Sequence, residues 1–137
     1  MKVNKLILSV LCVLFFQSLI VSGQTNKNDA VVVWLKDFYS HYMTEMSKMP
    51  PNSKYLDNLE SSHCTKQLLS KLKNEDYDYD PFLNAQDIDL ASVKSLSIKK
   101  SSDNAYIVSY TAANKKIIHV KVFVMCEKNK YSISGLR

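Results

Sequence analysis

The segment AYIVSYTAANKKIIHVKVFVMCE, residues 105–127, decides the fold of this chain. Both of its halves are rich in the β-branched and aromatic residues that strands favour. From Ile118 to Cys126 every second residue is apolar, which predicts a strand that buries one face and places Cys126 in the core. The turn between the halves, at Asn114 and Lys115, is short, and this indicates antiparallel pairing.

Two further strands flank this segment. A strand over residues 93–100 precedes it, followed by a turn at residues 101–104. A strand over residues 131–137 follows a turn at Lys128 and Asn129. Since each turn joins successive strands, the four strands are expected to form an antiparallel meander.

The pattern before the strands is helical. Apolar residues recur at helical spacing in one stripe formed by Val31, Trp34, Leu35, Phe38 and Tyr42. This helix stops at Pro50 and Pro51, and a second helical stretch covers residues 53–74 with a break near His63 and Cys64. The sequence therefore predicts an α+β fold, with N-terminal helices packed on one face of a curved four-stranded antiparallel sheet.

The first residues predict export. Residues 1–23 have a lysine-containing start, an apolar run from Leu6 to Val21 and small residues before Gln24, as in a secretory signal peptide. An uncleaved membrane anchor is the alternative. Cleavage would leave residues 24–137 as a single domain that is periplasmic or secreted. That part carries 16 basic and 13 acidic residues, and its one arginine, Arg137, argues against a nucleic-acid partner.

Two cysteines, Cys64 and Cys126, remain in residues 24–137. In an exported protein an even number of cysteines favours a disulfide bond. The alternative is two separate buried thiols, because cysteine is often a small core residue. The sequence leaves both arrangements open.

The aspartate-rich segment DYDYDPFLNAQDID, residues 76–89, has the alternating acids of a calcium loop. An EF-hand loop that began at Asp76 would need glycine at its sixth position and glutamate at its twelfth, where this chain has Pro81 and Asp87. These departures exclude an EF-hand and leave open a looser Ca²⁺ or Mg²⁺ site. We assign no metal ligands and no cofactor.

A structural role explains more of this segment. The pair Asp80-Pro81 restricts the backbone, and Phe82 and Leu83 are expected to anchor a rigid junction between helices and sheet. Alternation places Tyr77 and Tyr79 on a face opposite the carboxylates. The candidate residues for binding a ligand or partner are Asp76, Tyr77, Asp78, Tyr79, Asp80 and Asp87.

The chain lacks the motifs of nucleophilic or zinc-dependent catalysis, and we assign no catalytic residue. His63 and Cys64 are adjacent and therefore diverge on a helix. The polar side chains expected at a pocket between helices and sheet are Tyr39, Tyr42, His63, Tyr106 and Tyr110. Each is also explained as a core or rim residue with its polar end at water.

The order of helix, broken helix, acidic loop and four-stranded meander resembles the nuclear transport factor 2-like or cystatin-like α+β roll. Within it, HCTKQLLSKL at 63–72 and DYDPFLNAQD at 78–87 are similar to a small uncharacterised domain of exported proteins of Gram-negative bacteria. The resemblance covers residues 29–136 and implies the roll fold without an established activity.

Two functions remain at this point. The first is an exported, non-enzymatic domain that binds a protein partner, a second copy of the chain or a small molecule, with an immunity or inhibitor role as one version. The second is a small-substrate hydrolase or isomerase that uses the pocket between helices and sheet. Two ionisable side chains within hydrogen-bond reach inside a concave, partly dry cavity would favour the enzyme.

Overall fold

A computed structural model of the chain describes residues 27–137, and the predicted signal peptide at residues 1–23 lies outside this part. The helices are α1 (Lys27–Met46), α2 (Ser53–His63), α3 (Lys66–Asn74) and α4 (Leu90–Lys94). The strands are β1 (Ser97–Ser102), β2 (Ala105–Thr111), β3 (Ile117–Glu127) and β4 (Lys130–Leu136). The α+β class is confirmed. Between residues 27 and 137 no helix has the length and apolar character needed to cross a membrane.

The four strands form one antiparallel sheet in the order β1-β2-β3-β4, which confirms the predicted meander. Val108 of β2 lies between Ile98 of β1 and Val120 of β3. Alternate residues along β2 and β3 are buried, as the period of two in the sequence requires: Tyr106, Val108, Tyr110, Val120, Val122 and Val124. These side chains belong to the same hydrophobic core as Leu35, Phe38 and Met43 of α1.

The predicted break in the second helical stretch is confirmed. Helix α2 ends at His63, and α3 restarts after Thr65, whose hydroxyl oxygen accepts from the Leu68 N–H at 3.2 Å. The Thr65 N–H donates to the Ile133 carbonyl of β4 at 2.9 Å. The break therefore supplies a helix cap and also fastens the helices to the last strand.

The first strand begins later than the sequence predicted. Residues 90–94 form α4, because the Asp89 carboxylate caps it by accepting from the Ser92 N–H and hydroxyl, each at 2.7 Å. The strand begins only at Ser97. The prediction of a strand from residue 93 was wrong because the capping signal of Asp89 outweighed the short alternating pattern that follows it.

The prediction that Cys126 lies in the core was wrong. Its side chain is exposed, because it sits one pair before the β3–β4 turn, opposite Tyr131, where the sheet ends. Cys64 is buried beside β4, where it forms a bridge with Ile133. Both thiols are free, so of the two arrangements left open by the sequence the structure has separate thiols.

We expect the two thiols to differ strongly in reactivity. Burial raises the pKa of Cys64 to about 12, so this side chain is both inaccessible and protonated at neutral pH. In a Cys12→Ser chain, native protein should react with a thiol reagent such as DTNB once per molecule, at Cys126, and twice after unfolding. Recovery of no free thiol from denatured, non-reduced protein would contradict the free pair.

Candidate functional site

An open groove of about 760 Å³ lies where α2, α3 and the aspartate-rich segment meet. We call it the acidic groove because five of its lining residues carry carboxyl groups and only one is a lysine. Its lining consists of Tyr42, Asp57, Glu60, Leu69, Leu72, Lys73, Glu75, Asp76, Tyr77, Tyr79, Asp80, Pro81 and Phe82. It contains four of the six predicted binding residues.

Tyr42 holds the inner wall of the groove together. Its hydroxyl lies 2.7 Å from Asp80 Oδ2 and 3.2 Å from Glu60 Oε1, so residues of α1, α2 and the aspartate-rich segment meet at one oxygen. Burial, together with the neighbouring charges of Asp80 and Glu60, raises the pKa of Tyr42, which therefore keeps its proton.

Asp80 organises the turn that follows it. Its Oδ1 accepts from the N–H groups of Phe82 at 2.9 Å and Leu83 at 3.0 Å, and its own carbonyl accepts from the Asn84 N–H at 2.7 Å. Asn84 adopts a positive φ of 51°, a conformation that asparagine tolerates in turns. Burial raises the pKa of Asp80, although its three side-chain hydrogen bonds oppose this by favouring the ionised form.

The anchors of this turn reach the core. Phe82 and Leu83 are buried, and the Leu83 carbonyl accepts from the Tyr110 hydroxyl of β2 at 2.7 Å. The Phe82 ring packs against Phe38 and Tyr42 of α1, at centroid distances of 5.6 and 5.1 Å. The second half of the aspartate-rich segment is therefore a rigid junction, as its composition predicted.

The first half of the segment presents aromatic rings to the groove. Tyr77 and Tyr79 lie together, with ring centroids 6.1 Å apart, and Tyr79 is 45% exposed. The expectation that these rings face away from the carboxylates was wrong, since Asp76 and Asp80 line the same groove. The Tyr77 hydroxyl donates to the Glu75 carboxylate, and Lys71 forms an ion pair with Glu75 at 3.8 Å.

Two of the five carboxyl groups of the groove, those of Glu60 and Asp80, meet at the Tyr42 hydroxyl. Among residues 27–137 no three His, Cys, Asp or Glu side chains come close enough to hold a metal ion. Asp57, Glu60 and Glu75 were not among the candidates predicted from the sequence. Asp57 and Glu60 are three residues apart on α2 and so share a helix face, which is the signal that could have identified them.

Two of the predicted binding residues lie elsewhere. Asp78 is exposed outside the groove lining, and its carbonyl accepts from the Gln86 side chain at 2.8 Å. Asp87 lines a separate cavity of about 360 Å³, beside the turn between β2 and β3. The six residues predicted as one binding set therefore do not lie at one site.

The five predicted pocket residues do not converge either. Among them Tyr42 lines the acidic groove, Tyr106 lines a small cleft beside Cys126, and the Tyr110 hydroxyl bonds to the junction. His63 stacks on Trp34 with ring centroids 5.4 Å apart. Tyr39 is fully buried, and its hydroxyl finds no hydrogen-bond partner within the described part of the chain.

The chain resembles a solved structure of a protein of unknown function from Bacteroides thetaiotaomicron VPI-5482. The two share 27% sequence identity with a TM-score of 0.72, over 80% of this chain and 90% of that chain. No protein-family model matches the chain, and no curated protein matches it.

Proposed function

We propose that this chain is an exported, non-enzymatic binding domain whose acidic groove receives a basic segment of a partner protein. The observation that supports it is the combination of five carboxyl groups with two partly exposed tyrosine rings in one open groove. Several carboxyl groups that do not form a three-ligand cluster suit a partner with several positive charges, whereas a single ion needs convergent ligands.

The tyrosine rings add to this complementarity. The faces of Tyr77 and Tyr79 attract lysine and arginine side chains through cation–π contacts, and rigid aromatic rings lose little conformational entropy on binding. The hydrogen-bonded turn at Asp80 follows Tyr79 directly in the chain and fixes the end of the segment that carries the rings. An immunity or inhibitor role is one form of this function, in which the groove covers a basic surface of another protein in the periplasm or outside the cell.

The fold that supports this function is, in our proposal, the cystatin-like or nuclear transport factor 2-like roll, with the helices covering one face of the sheet. The alternating burial along β2 and β3 supports this arrangement. Phe38 is fully buried and packs against Tyr39 and Phe82, which supports a filled core beneath α1.

The hydrogen bonds of Asp80 favour a structural role over acid–base catalysis for this residue. Both of its carboxylate oxygens already accept hydrogen bonds, from Tyr42, Phe82 and Leu83. These bonds favour its ionised form and hold it in the turn.

The proposal predicts weaker binding of a basic peptide when groove charges are removed. With a fluorescent hexalysine peptide as the probe, the triple variant Asp57→Asn, Glu75→Gln and Asp76→Asn should bind about tenfold more weakly than the wild type, which corresponds to about 1.4 kcal/mol. Binding should also weaken as salt is added. Fluorescence anisotropy measures both effects.

The matched control removes three carboxylates outside the groove, with Asp37→Asn, Asp87→Asn and Asp103→Asn. Its net charge equals that of the groove variant, so a purely non-specific attraction would weaken equally in both. Equal losses in the two triple variants would contradict the proposed site. Sedimentation of the wild-type chain distinguishes a second copy of the chain as the partner, because a dimer would form without any peptide.

A further inference from the structure

The Tyr42 hydroxyl has one proton but lies near two carboxyl oxygens that could accept it. The Tyr42 hydroxyl lies within hydrogen-bond distance of Asp80 Oδ2 and of Glu60 Oε1, yet it carries one hydrogen. If both carboxyl groups were ionised, one of the two contacts would join two acceptor oxygens. The arrangement is satisfied when one carboxyl group is protonated and donates to the tyrosine oxygen.

Burial raises the pKa of both carboxyl groups, and the hydrogen-bond pattern favours Glu60 as the protonated one. Asp80 accepts three hydrogen bonds, including the shorter one from Tyr42, and each favours its ionised form. The only contact of Glu60 in this cluster is the longer one, to Tyr42. Burial is the main cause that raises the pKa of Glu60. The hydrogen bond with Tyr42 opposes this rise, and the neighbouring carboxyl groups of Asp80 and Asp57 add to it.

We propose that Glu60 is a protonation switch of the acidic groove: at acidic pH it donates its proton to the Tyr42 oxygen, and as the pH rises it releases that proton. The released charge is repelled by Asp80 and Asp57, and Tyr42 has no second hydrogen to offer it. The Glu60 carboxylate then turns into the groove and adds one negative charge there. The effect on partner binding rests on the proposed function, whereas the switch itself is a property of the free chain.

The groups around Glu60 agree with this direction. Tyr42 faces it from α1, Asp57 from its own helix, Asp80 from the aspartate-rich segment, and the buried Cys64 thiol from the end of α2. Across the groove are Lys73 of α3 and, from the segment after it, Glu75, Asp76, Tyr77 and Tyr79. Lys73 is the one cationic side chain in this lining, so the surroundings of Glu60 are predominantly acidic.

The sign of the stability effect follows from the raised pKa. A group whose pKa is higher in the folded than in the unfolded chain stabilises the fold below its unfolded pKa, and this stability is lost as the pH rises through the folded value. For Glu60 the loss begins above its ordinary value of 4.5. Binding of a cationic peptide has the opposite trend, because it favours the ionised form and releases the proton.

The direct test is a titration of the ¹³C carboxyl resonances of the free full-length chain by NMR. The Glu60 resonance should titrate at a higher pH in the folded chain than in the same chain unfolded in urea. Denaturation of the wild type should show stability falling as the pH rises above about 4.5, the ordinary pKa of the group. The Glu60→Gln variant, whose amide N–H takes the place of the acid proton, should stay folded and lose the Glu60 share of this fall, whereas the matched control Asp103→Asn, which changes an exposed carboxylate outside the groove, should keep all of it.

A Glu60 resonance that titrates at or below its unfolded position would overturn the proposal, and so would a full pH dependence retained in Glu60→Gln. With hexalysine as the probe, binding should tighten roughly two- to fivefold as Glu60 ionises, with proton release that Glu60→Gln abolishes. If hexalysine does not bind at any pH while Glu60 titrates as expected, the proposed function fails and the switch is supported.

Discussion

Replacement of Phe38 by alanine is expected to lower the free energy of unfolding by about 3–5 kcal/mol, the range for large aromatic side chains in well-packed cores. Phe38 is 0% exposed, and its ring contacts those of Tyr39, Tyr42, His63 and Phe82 at centroid distances of 5.2–5.6 Å. Because these neighbours come from two helices and the junction, no single element can move in to fill the space.

Urea denaturation followed by circular dichroism measures this effect. Val33→Ala is the matched control, since Val33 lies on the same helix and is 68% exposed, and its change should stay within about 0.5 kcal/mol. A loss below about 1 kcal/mol for Phe38→Ala would contradict the packing described here, because the pocket that it leaves would then have closed at little cost.

The position of Phe38 in the core is also the part of the fold that sequence reasoning predicts best. An apolar stripe at helical spacing and strict alternation along β3 are signals spread over many residues, so one misleading side chain does not change the interpretation. The two prolines after Met49 and the polar break near Cys64 mark ends of helices for similar reasons.

The errors lie where the outcome depended on a single contact or on position within the sheet. Leu96 and Ile98 alternate as in a strand, and the predicted strand was extended back to residue 93, yet the cap at Asp89 makes residues 90–94 helical. Cys126 has the correct alternation for the buried face, but alternation does not indicate where a sheet ends. Burial at the last pair of a hairpin depends on what covers it, and that is a property of the whole fold.

The sequence identified the groove residues that lie in the aspartate-rich segment but not those on α2. Its loop residues stand out in the sequence because aspartate and tyrosine alternate there. Asp57 and Glu60 look like ordinary exposed acids of a helix, since their place at the groove depends on how α2 packs against α1. Tyr42 joins residues 18 and 38 positions away, and no local pattern encodes such a separation.

The expected result for Asp80→Ala follows from the hydrogen bonds that Asp80 accepts. The variant should lose about 2–4 kcal/mol of stability, because it leaves two buried N–H groups and the Tyr42 hydroxyl without their acceptor. The loss should be concentrated in the junction, with faster hydrogen exchange at the N–H groups of Phe82 and Leu83 than in β2 and β3. Hydrogen exchange by NMR, together with urea denaturation, checks both statements.

Two substitutions make this test specific. Asp78→Ala removes a carboxylate two residues earlier whose side chain is exposed outside the groove, so its effect should remain within about 0.5 kcal/mol. Asp80→Asn should fall between the two, because its amide oxygen can still accept from Phe82 and Leu83 while its amide nitrogen donates to the Tyr42 oxygen. Equal losses in Asp80→Ala and Asp78→Ala would show that the turn is held by its buried anchors alone. The expected order instead requires Asp80 to be the residue that connects the rigid junction to the groove. A partner bound at Tyr77 and Tyr79 would then contact a segment whose end is fixed to the core.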